Sequence, residues 1–462
     1  MTNSPGWSSQ LFNTYHRLDK QDSSYPSSDH FQQPISAFER FSALRDSDKA
    51  QRSLALSVNI PFCANACYYC TAKNIVTKDR SRSSAYLQSL EQEIRLVAQQ
   101  INTHQQIKQL HFGGGTPTFL NPAELRQLMD CLKDNFNIVS DNFSQYSIDI
   151  DPRETDWSTM GMLRDIGFNR VNIEAVGLDP TVQRAINRLQ SIEQTQTLVE
   201  AARTLQFRTV NISLMYGLPK QTPQAFAQTL ADILNLGADR IIVQGFQHQP
   251  NKHPIQKRIN AQDLPCSADI EQMLHNAQQQ LSDAGYHYIG MGHFALADDE
   301  FAFVQEQDVL QYNLQDHGAF PNCDIIGFGL SAISHLGHLY YQNTHDVNAY
   351  KMACNNQQLP AAQGLFCKSD DHIRRSIIQA LTCQFRVDFA RIEQRHKINL
   401  KEYLREQWPL LEHMQHDGLL TLTEHSLQMT PSGRLFTLAV CQLFDQYCAH
   451  DKAAEYAITH AI

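Results

Sequence analysis

The sequence predicts an α/β protein: a partial (βα)6 TIM-type barrel, with an N-terminal arm before it and a C-terminal helical, winged-helix-like domain after it. Three observations predict this. Short apolar runs alternate with helical patterns from residue 54 to residue 244, whereas the first 50 residues are rich in Ser, Asp and Gln and show no alternation. After residue 370 the pattern becomes helices, a short hairpin and a last helix. Strand-then-helix repetition implies parallel strands with crossover helices, and about six such units fall short of a closed eight-stranded barrel. The expected divisions are an arm at 1–50, the barrel at 51–295, a barrel-covering segment at 296–365 and an accessory domain at 366–462.

Within the arm a short helix is expected, and Tyr25-Pro26 and Phe31 are candidates to pack on the main body; surface disorder is the competing reading of so polar a composition. Residues 54–60 are apolar and β-compatible and run into a cysteine-rich loop. In 84–101, Tyr86, Leu87, Leu90, Ile94 and Val97 recur at helical spacing, with Glu91, Glu93 and Arg95 on the other side. Further strands are expected at 109–112, 146–150, 170–173, 209–215 and 240–244. Helices are expected at 122–136, which has Pro in its first turn, and at 157–167, 191–205 and 223–236. A helix at 269–285 follows. The tract 295–343, rich in Gly, Asp and aromatics, is expected to return across the barrel mouth. Residues 373–385, 392–396 and 400–411 read as helices, 419–429 as a two-stranded wing, and 433–448 as a closing helix. In such a barrel, function belongs at the C-terminal ends of the strands.

Composition narrows the function. An apolar fraction of 42% and a charged fraction of 19% are those of a soluble globular chain. No stretch approaches the roughly 18 uninterrupted apolar residues of a membrane span. A net charge of −10 argues against nucleic acid as a partner. The first residues carry neither a basic patch nor an apolar core of an export signal, so the eleven cysteines are expected in a reducing cytoplasm as free thiols or metal ligands.

Cys63, Cys67 and Cys70 stand in the spacing C-x3-C-x2-C. Thiolates are the usual ligands of iron–sulfur clusters, and a 4Fe–4S cube normally takes four. Three cysteines leave one iron open to a ligand that is not protein. A structural zinc would need a fourth, distant ligand, and simple packing of thiols is the remaining alternative. Gly113-Gly114-Gly115-Thr116-Pro117 directly follows a strand, where glycines let backbone approach a ligand closely. Asp149 and Asp151 share one face at a strand's carboxyl end; a carboxylate there can bind ribose hydroxyls, although Asp151 also reads as a helix cap. Arg188 can pair with an anion bidentately or stand exposed on a helix. The loop 216–222 reads as architectural, with Thr222 as a helix N-cap.

The cysteine spacing resembles the radical S-adenosylmethionine superfamily, whose open iron is typically bound by the amino and carboxylate groups of that cofactor. The resemblance sharpens with Phe112-Gly113-Gly114-Gly115-Thr116-Pro117-Thr118, Asp151-Pro152-Arg153-Glu154, the loop 216–222, Gly290-Met291-Gly292-His293-Phe294-Ala295, Gly329-Leu330-Ser331-Ala332-Ile333-Ser334 and Ile373-Arg374-Arg375. Together these resemble the oxygen-independent coproporphyrinogen III oxidase family, over nearly the whole chain. The resemblance implies a cytosolic monomer that converts two propionates of a tetrapyrrole substrate to vinyls, fed by a reduced flavodoxin- or ferredoxin-type electron donor. It implies that Cys63, Cys67 and Cys70 hold the cluster with Tyr69 beside it. Gly114, Gly115 and Thr116 would bind the methionine portion of S-adenosylmethionine, Asp149 the ribose and Arg188 the carboxylate. Gln315 and Ile333 would line the cavity.

Departures from the family pattern are also visible. Ala72 stands where the family usually carries a fourth cysteine, and Ser57 where it has tyrosine. Glu174-Ala175-Val176 replaces Gly-Val-Gln, Ser213 replaces an acid, and Asp149 a glutamate. The N-terminal Gly-Pro-Arg-Tyr-Thr-Ser-Tyr-Pro segment is reduced to Lys20-Gln21-Asp22-Ser23-Ser24-Tyr25-Pro26. Polar contacts are worth roughly 1 kcal/mol each, so a diverged paralogue acting on haem or another tetrapyrrole is an alternative. A haem-binding chaperone, whose His-Asn-x-x-Tyr-Trp stretch is absent, and a catalytically silent cluster protein are the others.

Overall fold

The computed structural model describes residues 6–16, 24–101, 105–139, 141, 144–313, 317–320 and 323–447. The chain forms two compact units, one of Phe31–Met273 with Asn322–Phe366, the other of Met1–His30, Leu274–Pro321 and Cys367–Ile462.

The first unit is built on β1 (Leu54–Ile60), β2 (Gln106–Gly114), β3 (Gln145–Ile150), β4 (Arg170–Val176), β5 (Thr209–Tyr216) and β6 (Arg240–Gly245). They lie in the order β6-β5-β4-β3-β2-β1, and every neighbouring pair is parallel. This is the open six-unit architecture that the alternation predicts. β2 runs past residue 112 because backbone pairing needs no side chain: Asn59 pairs with Gly113 and Ile60 with Gly114. The crossover helices start where the sequence supplies caps. Asn121, Asp156, Ser191 and Thr222 accept from the backbone N–H groups of Glu124, Thr159, Gln194 and Ala225, each worth about 1 kcal/mol.

On its other edge β1 pairs in parallel with β7 (Asp324–Phe328). Ile333–Leu336, Leu339–Asn343 and Ala361–Phe366 then extend the sheet antiparallel. The segment 296–365, read from the sequence as a cover, therefore contributes four strands to the sheet. Phe31 packs on Tyr340 at 5.8 Å between ring centroids. The helix Ala37–Lys49 starts at a capping box of Ser36 and Glu39.

Glu93 ties this edge to the helix Ser81–Ala98. Its carboxyl is buried and accepts from Gly329 N at 2.8 Å, Asn343 Nδ2 at 2.7 Å and the Tyr350 hydroxyl at 2.6 Å. Burial pushes it up to about 7, against the pull of these donors. About two turns earlier, the Tyr86 hydroxyl donates to Asn59 O at 2.7 Å and accepts from Leu330 N at 2.9 Å. The Asn59 amide in turn donates to Leu330 O.

In the second unit the helix Ser369–Gln384 ends at Phe385, whose φ of 57° turns the chain back. That reversal lets Arg386–Asp388 pair with Ser426–Met429, which also pairs with Leu420–Leu422. The expected two-stranded wing is thus three-stranded. The closing helix is shorter than expected, Thr437–Cys441. Tyr25 donates to Asp371 at 2.8 Å and Tyr15 to Asp417 at 2.5 Å. Among the described residues no helix is long and apolar enough to cross a membrane.

Candidate active site

The cysteine loop leaves β1 at Ile60 and is laid against the end of β2. Gly115 N donates to Ile60 O and Thr116 N to Phe62 O, both at 2.8 Å. This close approach explains the glycines. A Cβ on Gly115 would sit 2.6 Å from Phe62 O, and one on Gly114, at φ +97°, would sit 1.4 Å from Asn59 Oδ1. The short strand Phe62–Cys63 pairs with Ile75–Val76 and closes the loop. Its outer edge is fixed by Tyr68 N donating to Ile186 O at 2.9 Å, Asn187 Nδ2 to Ala66 O at 2.7 Å and Gln256 Nε2 to Tyr69 O at 3.1 Å.

All three thiols are free and partly buried. Thr116 Oγ1 lies 3.7 Å from the Cys63 sulfur and Asn74 Nδ2 3.8 Å from that of Cys70. The Cys67 sulfur faces two guanidinium groups, Arg153 Nη2 at 3.4 Å and Arg188 Nη1 at 3.8 Å. Burial pushes the Cys63 thiol up to about 12 and raises that of Cys70. A metal would therefore displace protons on entering. Among the described residues no three His, Cys, Asp or Glu side chains converge on the point a single ion needs. A cube asks something different, since each thiolate takes its own iron, and three thiols on one loop beside N–H donors fit that group.

Asp149 and Asp151 do different work. Asp149 accepts from Asn172 Nδ2 at 2.8 Å and lies 3.4 Å from His111 Nε2. Asn211 Nδ2 continues this polar row to Asn172 Oδ1 at 3.4 Å, across β2 to β5. Asp151 is 4% exposed and sits between Arg153 Nη2 at 2.6 Å and Arg188 Nη1 at 2.9 Å. Burial alone would raise it, but the two arginines hold it below the usual carboxylate range. It caps no helix; Asp156 does.

Arg188 is 2% exposed rather than displayed on a helix. Besides Asp151 it donates to Gln190 Oε1 at 3.0 Å and Glu174 O at 2.6 Å. The Glu174 carboxylate stands 3.9 Å from its Nη1. Glu174, open to solvent on one side, is pushed up to about 7 by the protein packed around it, with Asp149 and Asp151 adding to the shift and Arg188 opposing it.

Tyr69 packs beside the apolar cluster of Val176, Val182, Ile186, Leu218, Phe246 and Ile259. Burial raises its phenol well above the ordinary value. Val176 has φ +60°, an outlier for a β-branched residue, at a register shift between β4 and β5. Ile333 opens the strand Ile333–Leu336, three residues beyond Leu330. Gln315 lies outside the described residues, as do Lys20 to Ser23. Ala72 is exposed, with its carbonyl 3.9 Å from the Cys70 sulfur. Ser57 faces His111 and Gly327 across the sheet, and Ser213 faces Glu174. Sequence reasoning left Arg153 out of the site, although it stands two residues after Asp151.

A family model described as the Radical SAM superfamily matches residues 59–233, and one described as the HemN C-terminal domain matches residues 368–436. The oxygen-independent coproporphyrinogen III oxidase of Pseudomonas aeruginosa is 47% identical over 441 residues, covering 96% of both chains. Its namesake from Escherichia coli is 36% identical over 441 residues, covering 96% of this chain and 95% of its own. The solved structure of coproporphyrinogen III oxidase (HemN) from Escherichia coli, reported as a radical SAM enzyme, superposes with a TM-score of 0.90 at 36% identity, over 96% of this chain and all of its own. The chain belongs to the oxygen-independent coproporphyrinogen III oxidase family of the radical SAM superfamily.

Proposed function

We propose that the protein oxidatively decarboxylates two propionates of coproporphyrinogen III to vinyls, giving protoporphyrinogen IX in haem biosynthesis. The observation that carries this is the intact three-thiol loop in a chain 47% identical, end to end, to an oxidase of that name. Cys63, Cys67 and Cys70 hold a 4Fe–4S cluster. When bound, the cluster would supply the electron that cleaves S-adenosylmethionine reductively, and the radical chemistry so provided would remove a hydrogen atom from each propionate β-carbon, with carbon dioxide leaving and one electron passing to an acceptor. Gly114, Gly115 and Thr116 offer backbone to the methionine end. Asp149, steadied by Asn172 and His111, accepts from the ribose hydroxyls. Arg188 faces the cofactor carboxylate, Tyr69 backs the cluster, and Ile333 lines the cavity. The electron donor is a reduced flavodoxin or ferredoxin type, and the protein acts as a cytoplasmic monomer.

A second reading, a diverged relative acting on haem or another tetrapyrrole, is favoured by one observation: strained Val176 stands where the resemblance implies an amide, and the carboxylate of Glu174 where it implies a glycine. The anaerobic product assay separates the two. Reconstituted protein with dithionite, S-adenosylmethionine and coproporphyrinogen III is expected to yield 5′-deoxyadenosine and protoporphyrinogen IX together. The first product without the second supports the diverged relative, and neither product refutes both readings.

Gly114→Ala is expected to weaken S-adenosylmethionine binding by about tenfold or more, read by calorimetric titration. The left-handed φ costs an alanine about 1–2 kcal/mol, and its Cβ would displace the Asn59 side chain. Unchanged affinity would place the methionine end elsewhere.

A further inference from the structure

We propose that Arg153 and Arg188, locked together by Asp151, form a clasp on the Cys67 sulfur that sets the reduction potential of the cluster held there. Arg153 is then a positioning residue for electron entry. This rests on the cluster assignment above and adds a role for a residue that the cofactor contacts do not use.

The geometry is specific to one corner. Arg153 Nη2 and Arg188 Nη1 share Asp151 Oδ2 at 2.6 and 2.9 Å, and the same two nitrogens face the Cys67 sulfur at 3.4 and 3.8 Å. Neither guanidinium is free to swing away. Arg153 Nε is held by both Asp151 oxygens at 3.0 and 3.2 Å, and Arg188 is held by Gln190 and the Glu174 carbonyl. Around this corner stand two guanidinium groups, with Asp151 and the more distant Glu174 as their carboxylates, and the guanidinium nitrogens are what face the sulfur. Cys63 and Cys70 have only uncharged donors, from Thr116 and Asn74.

Hydrogen bonds to cluster sulfurs and nearby charge are among the levers that set potential. Both stabilise the reduced cluster, which carries one more negative charge. Because Asp151 and Arg188 are almost fully buried, the effect is little screened by solvent or salt. The clasp would therefore ease acceptance of an electron by the cluster, and its rigidity fixes how far the potential is raised. The Glu174 carboxylate, 3.9 Å from Arg188 Nη1, works in the opposite direction.

The test compares wild type with Arg153→Met, Arg153→Gln, Arg153→Lys and a control, Arg184→Met. Arg184 is exposed on the neighbouring segment that packs against the loop. Each protein is reconstituted anaerobically, its iron is counted, and its midpoint potential is titrated by electron paramagnetic resonance. Arg153→Met is expected to keep its iron and colour while its midpoint falls below that of wild type. Arg153→Gln, which keeps an N–H donor without the charge, should fall between them, and Arg153→Lys should stay nearer wild type. Arg184→Met should leave the midpoint unchanged. Equal midpoints in loaded wild type and Arg153→Met overturn the clasp, and so does an equal fall in Arg184→Met. Should Arg153→Met fail to load, the comparison of wild type with Arg153→Gln decides in the same way. A wild type without iron would instead refute the cluster assignment itself.

Discussion

Cys67→Ala is expected to yield a folded protein that stays colourless after reconstitution and makes no 5′-deoxyadenosine. In the proposed ligand set each of the three thiolates serves a different iron, so two would not hold the corner that the third vacates. The fold should survive, because Arg153 and Arg188 keep Asp151 as their partner when the sulfur is gone. The stability change is expected within about 1 kcal/mol. Cys131→Ala is the matched control. That thiol is buried in the helix Pro122–Asn135, and burial pushes it up to about 11. Its loss should leave iron and turnover unchanged. Iron analysis decides: wild-type iron in Cys67→Ala would refute the ligand assignment.

Glu93→Ala is expected to destabilise the barrel unit by about 3–5 kcal/mol, read as a shift of the urea midpoint. Three donors converge on this carboxyl, and orphaned buried donors cost roughly 1–3 kcal/mol each, partly recovered by water entering the cavity. Glu93→Gln separates charge from shape. The folded-state carboxyl is raised to about 7 from 4.5. Below pH 4.5 both folded and unfolded chains hold the proton and nothing is lost. Between 4.5 and 7 the unfolded chain gives it up first, so stability falls as pH rises, by on the order of 3 kcal/mol in all. Above 7 the loss is complete. Glu93→Gln should flatten that slope; an unaltered slope would show that another group causes it.

The barrel was legible because its strands and helices obey their periods, and the caps that start the helices are local. The antiparallel extension was not. Its strands Ile333–Leu336 and Leu339–Asn343 are buried along most of their length, the second without a break, and lie in a tract of glycines and aromatics without a clear period. The third strand of the wing escaped notice because it depends on the left-handed turn at Phe385, which no glycine marks. At the site, the cysteines and glycines announce themselves by spacing. The partnership of Asp151 with Arg188 does not, because it spans 37 residues and exists only once the strand ends converge. The spacing puts Asp149 and Asp151 on one face, yet only Asp151 lies within reach of both guanidinium groups.

The Tyr86 hydroxyl bridges Asn59 and Leu330, and the Asn59 side chain fills the space beside Gly114. A single asparagine is thus read twice, by its carbonyl on the scaffold side and by its amide group against the glycine strip. Heat tolerance and pocket shape are not separable traits in such a layout. Loosening the frame at Tyr86 moves the backbone that carries Gly114, and tightening that strip strains the frame in return.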